Sequence, residues 1–285
     1  MTATVTAALW MIGTITSFSI MAVAGREVSH ALDTFEIMMY RSLVGVFIVV
    51  ALASATGSFG QIQAARLGTH LIRNVAHFTG QNLWFLAVTL IPLAQVFALE
   101  FTTPIWVILL SPLVLGERLT PMRALAAALG FAGILIVARP DMAGINTGII
   151  TAASCAIFFA ITIMLTKRLT RHEEIVSILF WLTAMQLVMG LVTAGFDGDI
   201  ALPDARTGPW VALIGCAGLM AHYCLTKALS LAPATVVVPI DFARLPTIAV
   251  VGMLVYGEAL DIWVLVGAAI IFGGNYLNLW WETRK

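Results

Sequence analysis

The sequence predicts an all-α integral membrane protein with ten transmembrane helices in two inverted five-helix repeats. Three observations support this prediction: an apolar composition, apolar segments of transmembrane length, and an internal repeat in which the second half of the chain matches the first. Among the 285 residues, 60% are hydrophobic and 11% are charged, and the mean hydropathy is +0.99. Soluble domains are about 45–50% apolar and about 25% charged, so this composition excludes a soluble enzyme and a disordered chain.

The apolar segments are about 20 residues long, which is the length that a helix needs to cross the hydrocarbon of a bilayer. Strands of a membrane β-barrel alternate over roughly 10 residues, so the pattern indicates helices. The predicted spans are Ala3–Ala24, Phe35–Ala55, Leu71–Leu90, Ala94–Leu115, Pro121–Ala138, Thr147–Leu165, Ile175–Ala194, Trp210–Leu229, Thr235–Tyr256 and Ile262–Trp281. They leave only short loops, so no soluble domain fits. No Lys or Arg precedes the first span, so we expect a retained span and not a cleaved signal peptide.

Basic residues of the loops are unevenly distributed between the two sides of the predicted bundle. Ten lie on the side shared by both chain ends, and three lie on the other side. The first group is Arg66, Arg73, Arg118, Arg123, Lys167, Arg168, Arg171, Lys227, Arg284 and Lys285, and the second is Arg26, Arg139 and Arg206. Cytoplasmic loops carry an excess of Lys and Arg, so we expect a multi-pass protein of the cytoplasmic (inner) membrane with both termini in the cytoplasm.

The second half of the chain repeats the first half at a constant shift, without gaps. Residues 87–119 and 228–260 share ten identities in 33 positions. The aligned pairs include Pro92 with Pro233, Phe101 with Phe242, Gly116-Glu117 with Gly257-Glu258, and the acidic pair Glu100 and Asp241. Repeats of five spans must have opposite orientations in the membrane, because five is odd. We therefore expect one repeat at residues 1–141 and an inverted repeat at residues 142–285, an arrangement typical of secondary transporters with a central site.

The repeated motifs also resemble a known family. The first copy reads Leu90-Ile91-Pro92-Leu93-Ala94, then Pro104, then Leu115-Gly116-Glu117-Arg118-Leu119-Thr120, and the second reads Leu231-Ala232-Pro233-Ala234 and Tyr256-Gly257-Glu258-Ala259-Leu260. Over its whole length the chain resembles EamA-type members of the drug/metabolite transporter (DMT) superfamily. Its single-chain ten-span form is similar to bacterial metabolite exporters, including the YddG-like aromatic amino-acid exporter group. The resemblance implies a central cavity lined mainly by spans one, three, four, six, eight and nine.

Ionisable side chains at membrane depth are costly, so each of them marks a candidate functional position. The predicted substrate-binding residues are His77, Gln81, Trp84, Glu100, Trp106, Phe158, His222, Tyr223, Asp241 and Arg244. Asp241 and Arg244 lie three residues apart and therefore share one helix face. Arg41 and Glu100 are expected at similar depth, where they would pair with each other or Glu100 would face the cavity. Helix packing without a role in binding is the alternative for each residue.

Aromatic side chains on these spans predict an apolar pocket for a flat ring. Trp106 lies in the middle of span four, although tryptophan prefers the membrane interface. With Trp84, Phe158, Phe159 and Trp10 it is expected to form walls that stack on flat rings and attract ammonium groups. Filling of the core is the alternative interpretation. The pattern favours an amphipathic, zwitterionic solute, with aromatic amino acids as one class.

Inverted repeats with buried ionisable residues predict a secondary transporter that moves small amphipathic metabolites by alternating access. Export of amino acids is the favoured cargo, and uptake of a nucleoside-like cofactor or vitamin is the alternative. An intramembrane enzyme and a channel are less favoured, because His77 and His222 form no His-x-x-x-His pair and pores usually need oligomeric symmetry. We therefore expect no enzymatic activity, no cofactor and no metal.

The expected partners are a small-molecule substrate and the lipid bilayer. The formal net charge of zero gives no general attraction for polyanions, so nucleic acid is not expected. Spans five and ten carry Ala128-x-x-x-Ala132 and Ala269-x-x-x-Gly273, and small residues four apart allow close helix contact. These two spans are interpreted as scaffold or as a dimer face, so the chain is expected to be a monomer or a weak dimer.

Overall fold

Helices follow one another with short connections along the chain. The computed structural model describes residues 3–114, 120–138, 146–196, 198–232, 237 and 240–282. In the first half the helices are α1 (Ala3–Val28), α2 (Thr34–Thr56), α3 (Leu67–Leu90), α4 (Leu93–Glu100), α5 (Thr103–Val114) and α6 (Pro121–Ala138). In the second half they are α7 (Thr147–Leu169), α8 (Ile175–Ala194), α9 (Gly208–Leu231), α10 (Arg244–Tyr256) and α11 (Ile262–Glu282). Short 3-10 helices lie at Ser58–Gln61 and Asp241–Ala243, and the ranges just given contain no strand. The all-α prediction is confirmed.

The helices have the length and the surface of membrane spans. Among the described residues, six spans are long and apolar enough to cross a bilayer, namely α1, α2, the segment Leu93–Leu110 of α4 and α5, α7, α8 and α9. Shorter apolar helices lie within α6, α10 and α11. Large apolar side chains are exposed on the outside of the bundle, among them Phe47 at 76% and Val192 at 66%. Extended exposed apolar surface of this kind requires a lipid or protein partner, in agreement with an integral membrane protein.

The internal repeat of the sequence is also a repeat of helices. The starts of α2, α3, α5 and α6 are separated from those of α8, α9, α10 and α11 by the same shift that aligns the two halves of the sequence. The ends of α1 at Val28 and α7 at Leu169 have this spacing too. The packing follows the correspondence, since α1 packs on α9, α3 on α7, α2 on α8, and α6 on α11. Exchanging each helix for its counterpart leaves this set of contacts unchanged, as expected for two repeats related by a two-fold axis.

Local signals in the sequence explain several helix ends. At the start of α2, the Asp33 carboxylate accepts from the Glu36 N–H (2.8 Å), and the Glu36 carboxylate accepts from the Asp33 N–H (2.9 Å). This capping box satisfies two donors that the first turn leaves unpaired. Before α9, the Thr207 N–H and hydroxyl donate to Asp204 and lower the pKa of that carboxyl. An Asp side chain thus accepts backbone hydrogen bonds at or shortly before the start of each of these two helices.

The span predicted at Ala94–Leu115 is interrupted, in contrast to the continuous helix expected from the sequence. It forms α4 and α5, separated by Phe101 and Thr102. Pro104 has no N–H, so the carbonyl of Glu100 one turn earlier loses its helical donor. The Thr103 hydroxyl takes that place and donates to the Glu100 carbonyl (2.6 Å). In the second repeat the 3-10 helix Asp241–Ala243 occupies the equivalent position, so each repeat carries a carboxylate at an interruption.

The contact between α6 and α11 depends on glycine. A Cβ added to Gly133 would lie 2.8 Å from the Gly267 carbonyl oxygen, and a Cβ added to Gly267 would lie 2.8 Å from the Gly133 carbonyl oxygen. Two side chains cannot fit there, so the glycines permit the close approach. Ala128, Ala132 and Ala269 of the predicted small-residue motifs are exposed on other faces of these helices. The scaffold interpretation of the two helices therefore rests on different small residues from those expected, and the dimer face stays a prediction.

Candidate functional site

A cavity lies in the centre of the bundle, between the two repeats. It is lined by residues of α1, α3, α7 and α9 and by the interrupted segments around Glu100 and Asp241. In the numbering of the predicted spans, α1, α3, α7 and α9 are spans one, three, six and eight, and the two interrupted segments belong to spans four and nine. The family resemblance implies this same set. The atom-free space between these side chains, which includes the opening to solvent, is about 910 Å³.

Two carboxylates share one guanidinium at the deep end of the cavity. Arg244 donates through Nη2 to Glu100 Oε1 (2.7 Å) and to Asp241 Oδ2 (2.6 Å). The second oxygen of Glu100 accepts from the indole N–H of Trp84 (2.8 Å). Asp241 Oδ1 is buried and has no hydrogen-bond partner among the described residues. Glu100, Asp241 and Arg244, named here the acid–base triad, thus combine both repeats in one polar cluster.

Aromatic rings surround the guanidinium of Arg244. Its Cζ atom lies 5.0 Å from the ring centre of Phe18, 4.7 Å from that of Phe97 and 5.4 Å from that of Phe101. A guanidinium within about 6 Å of an aromatic centre is attracted to the ring, more strongly when both are removed from water. The rings of α1 and α4 therefore help to hold the positive charge that orients the two carboxylates.

Two histidines and a glutamine supply polar atoms to the middle of the cavity. The rings of His77 and His222 meet edge to face, with centroids 4.6 Å apart. Both nitrogens of His77, Nε2 of His222 and Oε1 of Gln81 are buried without a hydrogen-bond partner in the described part of the chain. Buried polar atoms are normally hydrogen-bonded. These four atoms are therefore positions where a bound solute or water would gain hydrogen bonds.

Arg73 lines the cavity on the same helix as His77, one turn closer to the start of α3. Its Nε donates to the hydroxyl of Thr166 (3.0 Å) and its Nη1 donates to the side-chain oxygen of Asn74 (2.8 Å). Both partners are neutral, so the charge of Arg73 is stabilised by dipoles. Arg73 was not among the residues predicted for the site, although a basic residue inside a predicted span was the signal for it.

Seven of the ten predicted site residues line the cavity, and the other three do not. The seven are His77, Gln81, Trp84, Glu100, His222, Asp241 and Arg244. Trp106 instead packs on Phe131 of α6, with ring centroids 5.3 Å apart. Tyr223 is 37% exposed and packs edge to face on Trp10. These positions correct the expectation of a wall built on Trp106, because its face of α5 is turned towards α6.

The aromatic walls of the cavity come from neighbouring residues. Phe18, Trp84, Phe101 and Phe159 are the aromatic side chains that line it besides the two histidines. Phe158 and Phe159 were both expected as wall residues of α7, but successive residues on a helix point about 100° apart. The structure turns Phe159 towards His77, with ring centroids 6.0 Å apart. Of these two residues, Phe159 lines the cavity and Phe158 does not.

Arg41 does not pair with Glu100, in contrast to one expectation of the sequence analysis. Its Nη1 lies 3.4 Å from Gln186 Oε1 of α8, and its guanidinium packs beside Gly218 of α9. The helix that carries Arg41, α2, packs on α8 and α9. The alternative expectation, in which Glu100 faces the cavity, agrees with its place in the lining.

An ion pair closes the bundle beyond the deep end of the cavity. Arg26, near the end of α1, pairs with Glu258 just after α10. Arg26 also donates to the Val88 carbonyl (2.7 Å) and to the Ile91 carbonyl (2.8 Å), and Glu258 accepts from the Leu93 N–H (3.0 Å). Arg26 and Glu258, named here the latch, therefore join helices of both repeats. Glu258 is the acid of the second Gly-Glu motif in the sequence.

The geometry around Gly257 explains why a Gly-Glu pair ends this span. Gly257 has a φ of 63°, in the left-handed region that glycine adopts without steric cost. The chain therefore turns back after α10, and the Glu258 side chain packs against Gly252. A Cβ at Gly252 would lie 2.5 Å from Oε2 of Glu258, so only glycine leaves room for the carboxylate. The equivalent Gly116-Glu117 lies outside the described residues.

The opposite end of the bundle repeats part of the latch. Lys167 donates through Nζ to the Leu229 carbonyl (2.6 Å) and to the Ala232 carbonyl (3.2 Å). In the alignment of the two repeats, these three residues are the counterparts of Arg26, Val88 and Ile91, respectively. The same cation–carbonyl contacts thus occur once in each repeat.

The chain is similar to known membrane transporters over nearly its whole length. Residues 5–139 and 146–280 each match the model of the EamA-like transporter family. A riboflavin transporter of Brucella anthropi is 32% identical over 75% of this chain and 77% of its own. A riboflavin transporter of Vibrio cholerae is 27% identical over 98% of this chain and 94% of its own. An S-adenosylmethionine uptake transporter of Rickettsia felis is 23% identical over 96% of this chain and 92% of its own.

A solved crystal structure has the same fold. It covers 95% of this chain and 95% of its own chain, with a TM-score of 0.67. The sequence identity is 19%, so the likeness concerns the arrangement of the helices and not the solute.

Proposed function

The chain belongs to the EamA-like transporter family, and from this premise we propose that it takes up a vitamin or cofactor with a flat heteroaromatic ring. It is a multi-pass membrane protein of a transporter family and acts on a small molecule. Relatives named as a riboflavin transporter and as an S-adenosylmethionine uptake transporter support a vitamin or cofactor as the solute, and the second supports uptake, over the amino-acid export that the sequence favoured. Riboflavin is the first solute to test, and the finer resemblance to the YddG-like group stays a prediction.

The observation that carries this proposal is the lining of the cavity. Phe18, Trp84, Phe101 and Phe159 offer ring faces and edges, and each aromatic pair contributes about 0.5–1.5 kcal/mol beyond burial. The unpaired polar atoms of His77, His222 and Gln81 offer hydrogen bonds to the edge of a ring or to hydroxyl groups. A flat compound with a polar edge satisfies both kinds of surface, whereas a small aliphatic amino acid leaves much of the aromatic wall without contacts.

The mechanism we propose is alternating access by two inverted repeats, residues 1–141 and 142–285, with ten transmembrane spans. The matching helix starts and the exchange of packing partners support a two-fold relation, and an odd number of spans per repeat requires inversion. The latch lies further along α1 than the cavity, because Met11, Phe18 and Met21 line the cavity and Arg26 comes after them on the same helix. With both termini in the cytoplasm, the latch would lie at the outer end of the cavity and Lys167 at the inner end.

The second repeat supports the same mechanism. Lys167 makes the carbonyl contacts that Arg26 makes in the first repeat, so both ends of the bundle carry a cation at the same place in the fold. Rocking of one repeat against the other would break these contacts at one end and keep them at the other, so that the cavity opens to one side at a time. We propose that the protein acts in the cytoplasmic (inner) membrane, as a monomer or as a weak dimer through α6 and α11.

Counterflow in proteoliposomes tests the proposed substrate. Purified protein is reconstituted into liposomes preloaded with unlabelled riboflavin, and uptake of trace labelled riboflavin is followed at equal pH on both sides. We expect a transient accumulation that protein-free liposomes do not show. S-adenosylmethionine, phenylalanine and tryptophan are tested in the same way. Counterflow of the amino acids without counterflow of riboflavin or S-adenosylmethionine would contradict the proposal. Amino-acid transport would then again be the favoured function.

A further inference from the structure

Asp241 has one carboxylate oxygen that nothing in the described chain satisfies. Oδ2 accepts from Arg244 (2.6 Å), whereas Oδ1 is buried without a partner. Glu100 differs, because its two oxygens accept from Arg244 (2.7 Å) and from the indole of Trp84 (2.8 Å). An unsatisfied buried acceptor costs free energy that a proton or a donor can recover. We infer that Asp241 Oδ1 binds a proton, and that this proton is carried together with the solute of the proposed uptake function.

The charges of the acid–base triad support a proton at this atom. Two carboxylates and one guanidinium leave one net negative charge, and the exposed fractions are 10% for Glu100, 19% for Asp241 and 3% for Arg244. Two carboxylates that share a site cannot both ionise without mutual repulsion. A proton on Oδ1 makes the triad neutral and converts the unpaired acceptor into a donor. The Arg244–Glu100 ion pair stays intact in that form.

The other charged and titratable groups around the cavity do not replace this proton. They are Arg73 and His77 on α3, Cys155 on α7 and His222 on α9, with Arg41 of α2 behind His222. Arg73 uses its Nε and Nη1 on Thr166 and Asn74, and neither is an oxygen of Asp241. A proton on His77 or His222 would add positive charge to a region that already holds two arginines. A proton on Asp241, in contrast, cancels the net negative charge of the acid–base triad.

Closure of the cavity provides the coupling. Asp241 lines the cavity and belongs to the 3-10 helix at the interruption of the second repeat. A net charge costs more in a closed, dry cavity than in one open to water, so closure around a solute favours the protonated triad. Opening on the cytoplasmic side returns the triad to water and releases the proton. One proton then accompanies each solute, and with a neutral solute such as riboflavin each cycle moves one positive charge inward.

Two measurements test the inference, and the first needs no transport. Purified protein is titrated from neutral to acid pH and followed by the infrared C=O stretching band of protonated carboxyl groups. We expect a band that disappears in Asp241→Asn and persists in Asp241→Glu, which keeps a carboxyl at the site. Glu174→Gln is the matched control, because it removes an exposed carboxylate at the start of α8. Identical titrations of wild type and Asp241→Asn would overturn the inference, and the melting temperature of each variant shows that it is folded.

The second measurement follows riboflavin uptake into proteoliposomes with an acid exterior and the membrane potential clamped at zero. One pH unit corresponds to about 1.4 kcal/mol, so one proton per solute permits up to about tenfold accumulation for each unit. We expect wild type and Glu174→Gln to accumulate riboflavin and to acidify the interior, and Asp241→Asn to lose the response to the pH gradient. Riboflavin counterflow at equal pH without any response to a pH gradient would refute proton coupling and leave the proposed substrate intact. Absence of counterflow would instead refute the substrate, and the infrared titration would still decide the proton site.

Discussion

Replacement of Glu258 by glutamine is expected to loosen the closed end of the bundle. In the structure the two carboxylate oxygens of Glu258 accept from Arg26 and from the Leu93 N–H. Glutamine offers one oxygen and one NH₂ group, so one of these donors must face another donor. The side chains of Arg26 and Glu258 are 15% and 16% exposed, so water replaces the lost contact only in part.

The size of the effect follows from the contacts that are lost. A hydrogen bond to a charged group contributes about 1.5–3 kcal/mol, more than the value of about 0–1 kcal/mol for exposed ion pairs. Because the latch exists only when this end is closed, the loss shifts the equilibrium between closed and open forms by roughly 10- to 150-fold. Arg26 keeps its bonds to the Val88 and Ile91 carbonyls, so the closed form is weakened and not abolished.

The distance across this end can be measured with spin labels. Thr89 at the end of α3 and Leu260 after α10 are exposed, and cysteines at these positions accept labels once Cys155, Cys216 and Cys224 have been replaced. We expect one short distance in wild type and an added longer distance in Glu258→Gln. Arg26→Lys is the matched control. Lys167 makes the same carbonyl contacts in the second repeat, so a lysine at position 26 should keep this end of the bundle closed. An unchanged distance distribution in Glu258→Gln, with only a lower melting temperature, would refute the role of the latch in access.

Two further predictions concern the cavity wall and the scaffold. Trp84→Phe is expected to weaken riboflavin binding by roughly 2- to 10-fold, because the smaller ring loses part of an aromatic contact in the cavity wall worth about 0.5–1.5 kcal/mol. Trp106→Phe, outside the cavity lining, should leave the affinity nearly unchanged in the same fluorescence titration. Equal losses in both variants would contradict the position of the wall. Gly133→Ala is expected to lower the free energy of unfolding by about 1–3 kcal/mol through overpacking against α11. Gly273→Ala is the control and should not destabilise the protein, because a Cβ at Gly273 meets no atom within 4 Å. Melting temperatures decide this comparison, and a stable Gly133→Ala would show that α6 and α11 can separate without cost.

The helices and their repetition could be predicted from the sequence. In a bilayer every backbone polar group must find its partner within the protein, which makes an apolar run of sufficient length a helix. The shift that aligned Pro92 with Pro233 in the sequence is the shift that separates the starts of α3 and α9 in the structure. The exception is the span of Glu100, where Pro104 interrupts a run that composition alone presents as continuous.

The rotation of each helix about its axis could not be predicted in the same way. A membrane helix is apolar on most of its circumference, so periodicity does not distinguish the face towards lipid from the face towards a neighbour. Of the two phenylalanines expected as walls on α7, Phe159 lines the cavity and Phe158 does not, and Trp106 contacts Phe131. Only the packing of α7 on α3 and of α5 on α6 decides these faces.

The sequence by itself determined which buried groups deserved a role, because ionisable residues within apolar spans are costly and rare. Glu100, Asp241 and Arg244 were identified on that ground. Only the tertiary structure decided their partners, since Glu100 and Arg244 are 144 residues apart and the latch joins residues 232 apart. The physical reason is that contacts between the repeats depend on how two separate helical units pack against each other. Neither unit carries that information in its own pattern of apolar and polar residues.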